Sequence, residues 1–449
     1  MRVWLQGRFL ARAGFNPRTF YEVEKEPDAI VLKKVDRGFR VVSARVKNEK
    51  ETPIIDLNSA EVLSMFSGLS HVKVIFNDGE IRIQSLASEA RAKERFERTE
   101  ARIKAGEPLQ VGSLAHGGGV LSLALHTGLA RGGLTSEMAF ANEMRADLTE
   151  QSMTVNEVWT DKTIALCGKM QDFAFDEEVM RSLPQLDCLE AGLPCNAVSL
   201  PGRVKGKLAH PETHPLYGHL ALSFCAFIAR VNPTVIVLEQ VVPYASSASM
   251  DIIRNHLADL QYDLHETIID GSDWNALEPR KRMLMVAVTK GIDFALEGLE
   301  MPAKRTRTLG EILEPIPADD PRWKTMQGLK DKEIRDKAAG KSFAMQIFDE
   351  TSEKTCTLTA GMTRNRSTDM KIRHPENPDL LRIPTPQEHA SAKQISPHLI
   401  EGLSDTIAHQ LLGQSIIFEP FVAIGKLIAE RLKTMKRAII TEPPLPLFA

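Results

Sequence analysis

Several reactive side chains in this chain stand at the ends of apolar runs. The run carrying Leu186, Cys188 and Leu189 closes in Gly192, after which Pro194 presents Cys195. That pattern predicts a buried strand delivering one thiol to the loop at its C-terminal end, the edge where open α/β sheets bind ligands. A thiol so placed is a nucleophile only as its thiolate. A basic, glycine-bearing segment follows, Pro201-Gly202-Arg203-Val204-Lys205-Gly206-Lys207, and then a β-branched run from Pro233 that ends in Glu239, Gln240 and Val241. Glu278-Pro279-Arg280-Lys281-Arg282 places two guanidinium groups just before the apolar strand Met283 to Val288. Upstream, Val111 to Gly119 is a glycine-rich turn opening an amphipathic helix, and such a turn lets backbone approach a ligand with helix N–H groups facing it.

Each feature alone has a plainer reading. A lone free cysteine is usually a small buried hydrophobe. Glu239 alone is a solvated strand end, Arg280 to Arg282 a surface charge run, and the glycine turn an ordinary tight turn. Their joint occurrence, in this order, is what points to one site.

Taken together, Pro194-Cys195, Glu239-Gln240-Val241 and Arg280-x-Arg282 resemble the DNA cytosine-5 methyltransferases, whose patterns are Pro-Cys, Glu-Asn-Val and Gln-x-Arg-x-Arg. The resemblance implies catalytic roles for Cys195, Glu239, Arg280 and Arg282. On this resemblance Cys195 would be the covalent nucleophile at cytosine C6, Glu239 would hydrogen-bond N3 and the amino group, and the arginines would hold the base carbonyl and a phosphate. Pro194, Arg203 and Gln240 would stand on the substrate side. The target carbon is inaccessible inside a duplex, so the base must be flipped out.

The same resemblance implies S-adenosyl-L-methionine as cofactor. Ala115, His116, Gly117, Gly118 and Gly119 match its glycine loop, with His116 where the family has glycine. Glu143 matches the acid for the ribose hydroxyls and Asp172 the acid for the adenine amino group. Gly192, Gly413 and Ser415 complete the set, the last two in Gln410-Leu411-Leu412-Gly413-Gln414-Ser415-Ile416, which resembles Gln-x-Gly-Asn-Ser-Val. Arg382-Ile383-Pro384-Thr385-Pro386-Gln387-Glu388 resembles Arg-x-Leu-Thr-x-x-Glu. A helix from Pro420 to Leu432 is expected to fold back onto the donor pocket.

The implied fold class is α/β: a Rossmann-like methyltransferase sheet with helices on both faces, a smaller target-recognition domain and an N-terminal β-rich domain. The expected divisions are 1–85 β-rich, 86–107 a helical linker, 108–295 catalytic, 296–380 target recognition, 381–435 a return to the catalytic domain, and 436–449 a tail. The first 85 residues carry a weak repeat of short helix plus hairpin, with Asn77-Asp78-Gly79 as one turn. Leu5 to Leu10 and Ala13-Gly14-Phe15 resemble the SymE-type toxins, of swapped-hairpin fold, which implies nucleic-acid binding; the other reading is a generic β module for packing or self-association.

A net charge of −3 excludes a polycationic nucleic-acid binder, so affinity for double-stranded DNA must come from a local basic face such as Arg203 to Lys207 with Lys304 to Arg307. Five scattered cysteines predict a reduced, cytoplasmic protein. No ligand spacing predicts a metal site, and no apolar run has spanning length. Four departures, His116, Gln240, Glu278 and Gln414, leave a second reading: a non-catalytic DNA-binding protein that keeps the fold.

Overall fold

The computed structural model describes residues 2–47, 49–67, 69, 71–194, 211–341 and 344–435. Cys195, Arg203 and the tail expected from 436 lie outside the described residues. The chain divides between Glu94 and Arg95 into two compact units.

In the first unit the alternating apolar pattern gives the two expected hairpins. Phe20–Lys25 pairs with Ala29–Val35, and Val72–Asn77 with Glu80–Ser85, whose turn uses Gly79 at φ +74°. They join Arg40–Val41 in a five-stranded antiparallel sheet. The short helices Arg8–Arg12 and Ala60–Leu63 precede the hairpins as the repeat predicts. A second sheet of Val3–Gln6, Lys50–Leu57 and Ser43–Lys47 is additional. Its edge strand Ser43–Lys47 is exposed at all five residues, so it leaves no period-2 burial signal.

In the second unit seven strands form one sheet. Numbered within it they are β1 (Leu109–Leu114), β2 (Ser136–Glu143), β3 (Ile164–Cys167), β4 (Cys188–Gly192), β5 (Val235–Gln240), β6 (Tyr262–Asp270) and β7 (Lys281–Thr289). Their spatial order is β3-β2-β1-β4-β5-β7-β6, parallel except at β7, which is antiparallel to both neighbours. The order in which strands are added reverses between the parallel neighbours β1 and β4, the switch point at which such sheets open a crevice. β5 is buried at every residue, because helices cover both faces, and it reads as a continuous apolar run. Val111, Val237 and Phe421 pack on one face; Phe140, Leu189 and Ile236 pack on the other.

The C-terminal helix Phe418–Lys433 does return, against helix Val120–Arg131. Two glycines permit the contact. A Cβ at Gly128 would stand 2.2 Å from the Val422 carbonyl, and one at Gly425 2.6 Å from the Leu125 carbonyl.

The expected linker is a helix, Ala87–Ala105, but its second half belongs to the second unit. Arg95 is fully buried there, donating to Thr289 Oγ1 at 3.0 Å and to the Leu260 and Gln261 carbonyls. Arg98 and Arg102 bracket the buried Asp187 at 3.4 and 3.0 Å.

The 296–380 region is more ordered than an irregular insertion. It holds the strands Gln346–Phe348 and Met370–Arg373, the latter paired with Leu381–Arg382, and its own core of Leu309, Leu358, Met362 and Ile372 packed on Leu277 and Ala392. No single helix among the described residues is long and apolar enough to cross a membrane.

Candidate active site

β4 and β5 end side by side, and register sets Gly192 opposite Glu239. A Cβ at Gly192 would lie 3.8 Å from Glu239 Oε2, so the carboxylate stands over the end of the strand that runs on to Pro194. Arg282, on the antiparallel β7, brings Nε to 2.9 Å from Glu239 Oε1. Arg280 is buried and anchored, with Nη2 donating to the Gly413 carbonyl at 3.0 Å and Nη1 to Glu278 Oε1 at 3.3 Å. Glu239, Arg280, Arg282, Gln240, Gly192 and Pro194 all line one cavity of about 250 Å³.

The glycine turn borders the same cavity through Ala115, His116, Gly117 and Gly118. Ala115 adopts φ +54° and Gly117 φ +58°, and nothing lies within 4 Å of a Cβ position at Gly117. Glu143, at the end of β2, also lines it. Its Oε2 accepts from the Gly117 N–H at 2.7 Å and its Oε1 from the Arg145 N–H at 2.9 Å, tying β2 to the turn. Ser415 lines the cavity from the C-terminal segment.

Three residues of the expected donor set have another place. Gly119 does not line the cavity: it caps the following helix at φ +74°, where a Cβ would meet Asn156 Nδ2 at 2.4 Å. Gly413 is spent on packing, since a Cβ there would be 2.0 Å from the Ala360 N, and its carbonyl holds Arg280. Asp172 is exposed on the short helix Met170–Ala174 and does not line the cavity; its neighbour Gln171 does. Lys169 and Glu190 line it as well. Glu190 had a signal in the sequence, a lone charge inside the apolar run of β4.

Three of the four departures are accommodated. His116 is 7% exposed, with Nδ1 2.8 Å from Ser113 Oγ and Nε2 2.8 Å from Ser152 Oγ. Burial pushes its pKa down to about 3, so the ring is neutral. Gln240 spends its amide on backbone: Nε2 donates to the Leu193 carbonyl at 2.9 Å and Oε1 accepts from the Val241 N–H at 2.7 Å. Glu278 brings a buried charge where the pattern has a neutral amide, and Lys393 Nζ answers it at 3.1 Å. Lys393 is fully buried; desolvation and nearby Arg280 lower its pKa despite Glu278. Gln414 lines the cavity.

The Arg382-to-Glu388 segment is structural. Arg382 grips Glu388 with two bonds of 2.7 and 2.6 Å, and Thr385 and Glu388 form a capping box that starts helix Pro386–Ala392. Among the described cysteines, Cys188 and Cys225 are buried, and desolvation pushes both thiols up, Cys225 to about 11. At Cys188 the carboxylates of Glu190 and Asp187 add to the rise.

The model of the C-5 cytosine-specific DNA methylase family matches residues 124–413. The Type II methyltransferase M1.ScrFI of Lactococcus lactis subsp. cremoris is 27% identical over 268 residues, 57% of this chain and 66% of that protein. M.NlaX of Neisseria lactamica is 26% identical over 57% of this chain and 79% of its own length. The chain thus spans just under two thirds of the first of these relatives. Among solved structures, the S. pombe Dnmt2 methyltransferase superposes with a TM-score of 0.53 at 16% identity, covering 73% of this chain and 99% of that one, which is a likeness of fold.

Proposed function

The chain belongs to the C-5 cytosine-specific DNA methylase family, and from that premise we propose that it is a DNA cytosine-5 methyltransferase acting on a base flipped out of double-stranded DNA. The observation that carries this reading is the convergence of Glu239, Arg280 and Arg282 with the glycine turn on a single cavity, beside the strand end leading to Pro194.

Cytosine C5 is too weak a nucleophile to be alkylated unaided. The Cys195 thiolate adds to C6, which makes C5 enamine-like; loss of the C5 proton and β-elimination later release the thiol. Cys188 and Cys225, the cysteines flanking it in sequence, are buried with raised pKa values, which supports Cys195 as the reacting thiol. Glu239 hydrogen-bonds the ring at N3 and the amino group, stabilising the form that accepts the thiolate. Arg282 fixes the orientation of that carboxylate, and Arg280, anchored by Gly413 and Glu278, presents its remaining guanidinium edge to the base carbonyl. Gln240 serves the substrate side indirectly, by tying the end of β5 to Leu193.

S-adenosyl-L-methionine supplies, when bound, the electrophilic methyl group that C5 takes. The residues fit such a group: the Gly117 position is open, the backbone of Ala115 to Gly118 is on the cavity wall, and Glu143 stands beside it. Gln171 and Lys169, beside Asp172 in sequence, line the cavity's flank. The 296–380 region is assigned to DNA recognition, with exposed Lys304 and Arg305 toward phosphates.

Bisulfite sequencing of DNA from cells expressing the protein tests the reading. Protection of cytosines in one sequence context, absent with Glu239→Gln, is expected. Uniform conversion with soluble wild-type protein present contradicts it.

A further inference from the structure

The mechanism above leaves one buried group in the cavity without a task, Glu190. It sits mid-strand on β4, only 2% exposed, yet it lines the cavity. Ser122 Oγ donates to its Oε1 at 2.7 Å, and Ser113 is its direct partner across the β1–β4 ladder, placed to favour the carboxylate.

Ser113 is the end of a buried line of hydrogen bonds whose direction can be deduced. Trp159 Nε1–H can only donate, and it donates to Ser152 Oγ at 2.9 Å. Ser152 also stands 2.8 Å from His116 Nε2, and these two are its side-chain partners among the described residues. Its single proton therefore goes to Nε2, which makes His116 the Nδ1–H tautomer. Nδ1–H then donates to Ser113 Oγ at 2.8 Å, which leaves the Ser113 proton unused by His116 and able to turn toward Glu190, its partner across the ladder. With Ser122 donating as well, the carboxyl is surrounded by donors, an arrangement suited to its anion.

Position says what that anion meets. β4 is shared between the two halves of the site: Glu190 pairs with Ser113, three residues before His116 of the glycine turn, while Gly192 pairs with Glu239 on the base side. Glu190 thus lies between the donor turn and the base-holding carboxylate, where the group passed from one substrate to the other must be. Among the described residues no cation forms an ion pair with it.

We propose that Glu190 is a specificity-determining residue for the methyl donor, its carboxylate recognising the positive sulfonium centre and so discriminating the charged donor from its neutral thioether product. The proposal rests on the donor-site reading above. Burial raises the Glu190 pKa to about 7, with Ser113 and Ser122 opposing the rise. The groups around it are His116 from the turn, neutral with its pKa near 3, the two serines, Cys188 on its own strand and Asp187 just before that strand. The cavity's other charges are Glu143, Arg145, Lys169, Glu239, Arg280 and Arg282. A bound cation stabilises the Glu190 anion, so near pH 7 donor binding releases protons and tightens as pH rises; the neutral product does neither.

Isothermal titration with S-adenosylmethionine and S-adenosylhomocysteine, in buffers of different ionisation enthalpy, tests this on the full chain. Wild type is expected to release a fraction of a proton with the first ligand and none with the second. Glu190→Gln, isosteric and neutral, is expected to lose that release and to cut the preference for the sulfonium ligand at least about tenfold. Equal weakening of both ligands, or an unchanged ratio, overturns the proposal while leaving the donor site standing. Failure of wild type to bind either ligand overturns the donor-site reading itself. If Glu190→Gln does not fold, wild-type proton release decides alone: equal release with both ligands refutes the role.

Discussion

Arg282 Nε lies 2.9 Å from Glu239 Oε1, across the antiparallel pair of strands β5 and β7. The two residues are more than forty positions apart in sequence, and only the sheet brings them together. The ion pair does not close the site, because Glu239 Oε2 still faces the open end of β4 at Gly192. One carboxylate oxygen is held and the other is presented.

That division of labour sets the first expectation. Glu239→Gln should lower kcat by about 10²–10⁴-fold, the range for a positioned acid–base group, with donor affinity unchanged. Arg282→Ala should lower kcat less and raise KM for DNA, since it loosens the carboxylate without removing it. Incorporation of labelled methyl groups into DNA, with titration of the donor, measures both.

Gln240→Ala should leave the fold intact and slow the reaction by roughly tenfold or more, because it removes two backbone-directed bonds of about 1 kcal/mol each from Leu193 and Val241. Hydrogen exchange at Leu193 and Val241 should quicken in the variant. Unchanged exchange with unchanged rate argues that the tether has no role.

Acid should destabilise the second unit through its buried histidines. The folded-state pKa of His116 falls from 6.5 to about 3 and that of His126 to about 4, both by desolvation. The unfolded chain therefore binds protons first. Stability is full above pH 6.5 and is lost as pH falls toward 3, with a slope of up to about 1.4 kcal/mol per pH unit for each histidine. Urea unfolding across pH 7 to 4 should show this limb, and His116→Gln should make it shallower.

Gly425→Ala should lower the stability of the second unit by about 1–3 kcal/mol, the usual cost of overpacking, since its Cβ would press on the Leu125 carbonyl. Gly402→Ala, where nothing lies within 4 Å but φ is +80°, should cost less, through backbone strain of roughly 1 kcal/mol. Calorimetric unfolding of the two variants compares them.

The sheet was legible because buried strands such as Val235–Gln240 are continuous apolar runs, and the site because its chemical groups stand at their ends. A motif does not distinguish a binding role from a role in backbone packing. Gly413 sits in a recognisable motif, yet its lack of a side chain serves contact with Ala360. Asp172 is next to Gln171, which does line the cavity; on a short helical turn one position changes the face. Glu190 signals itself in the sequence only as a lone charge inside an apolar strand, and its meaning needs the fold, which sets Ser113 and Ser122 beside it. The Ser43–Lys47 edge strand is polar and exposed and carries no pattern to read.

Covalent capture tests the central claim most directly. DNA carrying 5-fluorocytosine, incubated with the protein and methyl donor, traps an enzyme that adds a thiolate to C6, because fluorine cannot leave as a cation and β-elimination stops. Wild type should give a band of protein linked to DNA on a denaturing gel, and Cys195→Ser should give none while still binding DNA and donor. A band that persists in Cys195→Ser, or DNA binding by wild type with no band at all, would contradict the assignment of Cys195 as the nucleophile of a cytosine-5 methyltransferase.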